Sequence, residues 1–313
     1  WDALQNSWLD AYKEWQHVEL FNIGKAEELQ YSFFMNIYPL SENDVENNIA
    51  NGNYDLNNSN NHDAQGFPAL DYLLYGIGTG DVEVLKKYTT ATNNDNYKKY
   101  LTDVLNQMSS LTNQVLNDWK TSYRNQFIAS TSNTATSALN KLVNDFIFYY
   151  EKGLRANKFG IPAGVFSSNP LPEKVEALYN QNVSKVLALE ALNTVIDFFE
   201  GKYKGNASAS RSSFKEYLES LNRIDLSNSI ISQLNVAKTQ INSLDNKKRM
   251  WLMEAPNTLR MPISFVFISV LKVTKPINPI QERKMVITVK TIIPNEIFLS
   301  FKYNSLRSSS TKL

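Results

Sequence analysis

The chain reads as an all-α protein with an irregular or β-prone C-terminal tail. Apolar residues recur at steps of three and four in several long stretches. The longest of these contains neither glycine nor proline. From Glu254 onward the helical pattern stops, and prolines and β-branched residues replace it.

The first stripe is Trp1, Leu4, Trp8, Tyr12 and Trp15, with Asp10, Lys13 and Glu14 off it. It predicts an amphipathic helix whose tryptophans pack into a core. Next comes an Asn/Asp-rich stretch, Glu42–Asp63, which predicts a long surface loop or insertion. A second stripe, Tyr97, Leu101, Val104, Met108, Leu111, Val115 and Trp119, predicts one long helix over about Asn94–Ala129. A third helix is expected over about Thr134–Leu154, carrying the cluster Phe146–Tyr150. Lys158–Gly164 and Ser167–Pro170 read as a loop. Pro172 then stands at a plausible first helical position, with Glu173 suited to the positive helix end. That predicts a helix over about Pro172–Gly201, burying Val175, Leu178, Tyr179, Val183, Val186 and Leu187. A last helix is expected over about Leu226–Asn246.

Composition excludes several classes of function. The 313 residues carry a net charge of +1, so nothing global points to nucleic acid or an anionic membrane. With no cysteine there is no disulfide, thiolate metal site or cysteine nucleophile. Only His17 and His62 are present, so a three-histidine metal site within one chain is impossible. The most apolar run, Ile263–Val273, is much shorter than the roughly 20 residues of a membrane span. No Gly-x-Ser-x-Gly elbow, phosphate loop or His-Glu-x-x-His zinc motif occurs. Glu14-x-x-His17 has the spacing of a carboxylate-bridged di-iron half-site, but it stands alone. A surface or helix-capping role is expected for His17.

The segment Gln65–Gly76 is the most informative. Asp63 or Gln65 suits a helix start, Gly66 permits close approach, and Pro68 fits the first turn, where a missing N–H costs nothing. Leu70, Leu73 and Leu74 form an apolar face, and Gly76-Ile77-Gly78 ends the helix. Asp71 lies near the start, where a carboxylate is favoured. From the residues alone this is a capped short helix with an acid near its N-terminus.

The segment also resembles the imelysin family signature, Gly-x-His-x-x-Glu followed by an apolar run and a glycine. Gly66 matches the first glycine, Pro68 stands in place of the histidine, Asp71 in place of the glutamate, and Gly76 follows the run. Trp15–Phe21 with Gly24 resembles the family's N-terminal helix, in which Glu19 is the matched acid. Lys158–Gly164 with Pro172–Glu176 resembles the start of its second half. The likeness spans about Trp8–Asn246.

The resemblance implies two helical-bundle domains, expected at residues 1–130 and 131–250, with a site between them and an atypical tail at 251–313. It implies an exported protein, periplasmic or at the cell envelope, working with iron-uptake components. A signal peptide or lipid anchor would precede Trp1. Some family members are described as metallopeptidases, but proline cannot replace a ligating histidine, so a non-enzymatic binding protein is the favoured expectation and a metallopeptidase the alternative. Glu19 and Asp71 are the candidate ligands for a divalent metal or iron, and a decayed site in a scaffold module is a third reading. Gly66, Pro68 and Gly76 are assigned structural roles. The tail does not follow the family: from Glu254 it has nine Lys/Arg against three acids and five of the ten prolines. A frameshift or assembly error near residues 250–260 is one hypothesis, and a genuine divergent extension is the other.

Overall fold

A computed structural model describes residues 1–132, 134–167, 169–180, 182–203 and 213–244. The tail after Glu254 lies outside the described residues. Helices and their connections make up the described chain, with no strand among them.

The first helix, α1 (Asp2–Val18), buries Trp8, Tyr12 and Trp15 on the predicted stripe. Short helices α2 (Lys25–Glu28) and α3 (Tyr31–Met35) follow. The Asn-rich stretch is not a loop throughout: its first part is α4 (Glu42–Asn51). The Ser41 hydroxyl caps it by accepting from the Asp44 N–H, Val45 and Ile49 bury one turn apart, and Gly52 closes it at φ +67°. A 3-10 turn, Ser59–Ala64, leads into α5 (Gly66–Asp71), which passes into a π-helical turn, Tyr72–Gly76. Helix α6 (Asp81–Thr89) then precedes the long α7 (Asn94–Asp118). A π turn, Trp119–Tyr123, joins α7 to α8 (Arg124–Ala129) without a break in direction of chain, as the unbroken stripe predicts.

Helix α9 (Ala138–Phe148) continues as a 12-residue π-helical stretch, Tyr149–Gly160. The expected helix over Pro172–Gly201 forms only in its second part. Pro172–Lys174 is a 3-10 turn, residues 175–180 and 182–183 are irregular, and α10 starts at Ser184 and runs to Glu200. Val186, expected to be buried, is exposed. Helices α11 (Phe214–Ser220) and α12 (Ile224–Ser243) complete the described chain.

Two hydrophobic cores result. One joins α1, α5 and α7 through Trp8, Tyr12, Trp15, Phe67, Val104 and Met108. Tyr12 stacks on Phe67 at 4.4 Å, nearly parallel. The other joins α9, α10 and α12 through Leu142, Phe146, Leu192, Ile230 and Leu234. Burying each such large side chain contributes about 1.5–3 kcal/mol. Helices α1 and α10 pack along each other, and α10 serves both cores. Leu187 of α10 enters the first and Leu192 the second, while Leu20, just beyond α1, enters the second. The end of α1 is therefore the junction of the molecule.

Candidate functional site

The motif segment sits in the first core. Gly66 has φ +74°, and a Cβ there would lie 2.3 Å from the Met35 carbonyl oxygen. Only glycine meets both conditions. Pro68 is buried within α5, and its side chain carries no metal-binding atom. Asp71, 1% exposed, is the last residue of α5 rather than an acid in its first turn. Its Oδ2 accepts from the Tyr179 N–H at 2.8 Å and its Oδ1 from the Asn180 N–H at 2.9 Å. The carboxylate thereby satisfies two backbone donors in the irregular segment before α10. Gly76 leaves room for this segment: a Cβ there would lie 2.6 Å from the rings of Tyr179 and Tyr72.

The same irregular segment delivers Glu176 to the junction. Ala177 beside it takes φ +54°, a conformation that a continuous helix excludes. Glu176 meets Gln16 and Glu19 from the end of α1, Asn36 from the loop after α3, and Lys158 from the π-helical stretch. Lys158 and Glu176 are each 2% exposed in their side chains. The Lys158 Nζ lies 2.8 and 2.7 Å from the two Glu176 oxygens and 2.8 Å from the Gln16 Oε1. Glu19 Oε2 stands further off, at 3.8 Å.

Asn36 ties the two acids together. Its Nδ2 donates to Glu19 Oε1 at 3.1 Å and to Glu176 Oε1 at 2.9 Å, and its Oδ1 accepts from the Tyr12 hydroxyl at 2.6 Å. Gln16 Nε2 donates to Glu176 Oε1 at 3.2 Å, and the Tyr149 hydroxyl donates to Glu19 Oε2 at 3.2 Å. Burial raises the Glu19 carboxyl above its ordinary range; Lys158 opposes this and Glu176 adds to it. Burial, reinforced by the same carboxylates, holds the phenols of Tyr12, Tyr38 and Tyr149 well above theirs, and Tyr12 and Tyr149 donate.

Glu19 thus lies in this cluster, and Asp71 is engaged by backbone amides at its edge. Among the described residues, no group of three or more His, Asp or Glu side chains is arranged to hold a metal ion. Pro68 contributes no donor, both Asp71 oxygens carry amide N–H groups, and an ammonium already faces Glu19 and Glu176. The residues present do not fit a metal held by Glu19 and Asp71. What the arrangement does supply is a fixed, charge-compensated joint between the two cores.

Lys158, Glu176, Asn36, Gln16 and Tyr149 were not legible as site residues. Lys158 falls in a stretch that reads as a loop, and Glu176 in one that reads as a regular helix. His17 also departs from expectation. It is buried, not on the surface: its Nδ1 lies 2.7 Å from Thr194 Oγ1 and its Nε2 3.2 Å from Glu190 Oε2, joining α1 to α10. His62 lines a surface groove of about 570 Å³ with Phe33, Ile37, Ser59, Asn60 and Asp63. Ile37 stands between Asn36, in the cluster, and Tyr38.

No helix among the described residues is long and apolar enough to cross a membrane. No curated protein sequence matches the chain. A crystal structure from Parabacteroides distasonis, described as an iron-regulated protein A precursor, shares the fold with a TM-score of 0.61 and 17% identity. The likeness covers 90% of this chain and 81% of that one. The profile of the imelysin family, peptidase M75, matches residues 1–259, and the chain belongs to that family.

Proposed function

We propose that this chain is a non-enzymatic, exported binding protein of bacterial iron or metal acquisition, engaging an iron chelate or an envelope partner beside the junction of its two cores. The observation that carries this reading is the composition of the junction. Where a metallopeptidase needs open ligands and a water-activating base, this chain has a proline, an amide-bonded aspartate and a lysine-paired glutamate. The iron context draws on the family and on the description of the Parabacteroides protein. We assign the ligand to the groove between Phe33 and His62, whose lining residue Ile37 follows Asn36 of the cluster in the chain.

Deleting the gene in its host is expected to slow growth in iron-chelated medium but not in iron-replete medium, with the parent gene restoring growth. The purified protein is expected to leave unstructured peptides intact in the presence of Zn²⁺ or Fe²⁺. Chelator-sensitive cleavage would replace this reading with the metallopeptidase one, and an iron-independent phenotype would remove the acquisition role.

A further inference from the structure

We propose that the Lys158 ammonium is the resident cation of the buried cluster, holding the place a metal ion would need among Glu176, Gln16 and Glu19. The carboxylates of the parent chain then take no metal, and removing the lysine side chain converts the cluster into a site for a hard divalent cation. This inference does not depend on the role in iron acquisition.

The count of donors and acceptors supports the assignment. An ammonium has three N–H bonds. Three oxygens lie at 2.7–2.8 Å from Lys158 Nζ: both of Glu176 and the Oε1 of Gln16. Glu19 Oε2, at 3.8 Å, completes an all-oxygen surround. These oxygens come from two separate parts of the chain, α1 with its end and the segment before α10, while the lysine comes from a third. The remaining polar atoms of Gln16, Glu19 and Asn36 also have protein partners. Asn36 spends one amide hydrogen on each glutamate, and Tyr12 and Tyr149 close the outer acceptors.

An oxygen set of this kind, carboxylates plus a carboxamide, is what hard cations such as Mn²⁺ and Ca²⁺ select. The lysine differs from them in being covalently tethered and carrying one charge. A metal ion entering the parent cluster would have to displace an ammonium that is buried against Glu176 and Gln16. Leaving that charge buried without a partner is strongly unfavourable. In Lys158→Ala the stem volume is vacated and Glu176 is left without its counter-ion, so an added cation gains what the parent's ammonium supplied.

The test compares the parent, Lys158→Ala and Lys158→Ala/Glu176→Gln by thermal unfolding across a Mn²⁺ series. The Tm of Lys158→Ala is expected to lie below the parent's. It should rise by about 4 °C once Mn²⁺ exceeds its Kd about 100-fold. The parent and the double variant should show no such rise. A folded Lys158→Ala with no cation-dependent rise overturns the proposal. The parent chain supplies an independent test should Lys158→Ala not fold. Mn²⁺ titration followed by electron paramagnetic resonance is expected to show no binding that Glu176→Gln abolishes, and stoichiometric Glu176-dependent binding overturns the proposal. Neither result bears on growth under iron limitation, so failure here is separable from failure of the acquisition role.

Discussion

Replacing Asp71 by alanine separates a structural carboxylate from a ligand. Its two oxygens accept the N–H groups of Tyr179 and Asn180, at 2.8 and 2.9 Å. Hydrogen bonds to an ionised acceptor are worth about 1.5–3 kcal/mol each. Asp71 is buried but the two amides are only partly so, which places each bond near the lower end. Asp71→Ala should therefore destabilise the protein by about 3 kcal/mol. Asp71→Asn keeps one acceptor oxygen but turns an NH₂ toward the second amide, and should cost about 2 kcal/mol. Urea unfolding followed by circular dichroism measures both. The order Ala worse than Asn worse than parent, unchanged by added Mn²⁺ or chelator, is the expected result. An Asp71→Ala variant within about 0.5 kcal/mol of the parent would refute the assignment of Asp71 as the clamp on the segment before α10.

Other perturbations follow from the same structure. Gly66→Ala places a Cβ against the Met35 carbonyl at a left-handed φ, and should lower stability by about 3 kcal/mol in thermal melts; a loss under 1 kcal/mol would mean the α3–α5 contact yields easily. His17→Ala removes the link to Thr194 and Glu190 and should cost about 2 kcal/mol, measured by urea unfolding, whereas a neutral outcome would assign His17 no part in the α1–α10 contact. Asp145 carries a carboxyl pushed up to about 6, first by burial and then by Glu27, with Lys141 opposing. The folded state therefore holds this proton over a pH range in which the unfolded state has released it, and stability falls as pH rises from about 4 to 6. Asp145→Asn lacks this loss. Since Asp145 is only half-buried, solvent screening limits the gain to about 1 kcal/mol at pH 7, vanishing below pH 4; equal melting of the two proteins at pH 7 would contradict it.

Much of the fold is legible in periodicity. The stripes of α1, α7 and α12 are strong because each helix buries one continuous face, and an unbroken three-and-four spacing has few other interpretations. In the Asn-rich stretch, composition outweighed a weaker but valid signal: Ser41 at a cap position and Val45 four residues before Ile49. The segment 175–183 was not legible at all. Its apolar residues keep helical spacing, yet Asp71 takes its amides and Lys158 takes the Glu176 carboxylate. Those partners come from more than 100 residues away and from 18 residues away respectively. Lys158 is buried within the π-helical stretch Tyr149–Gly160, a register that the three-and-four spacing of an α-helix does not foretell. The candidate site was legible in part. Glu19 and the Gly66–Asp71 segment stand where the family signature directs attention, while the residues that decide the chemistry, Lys158 and Glu176, carry no local mark of their burial.

The central claim is that a lysine, not a metal, balances the buried carboxylates. A crystal structure of the parent protein grown or soaked in Mn²⁺, with an anomalous difference map, tests it most directly. The Lys158 Nζ should be found within about 3 Å of both Glu176 oxygens and Gln16 Oε1, with no anomalous peak among Glu19, Glu176 and Asp71. An anomalous peak ligated by these carboxylates, with Lys158 turned away, would contradict it.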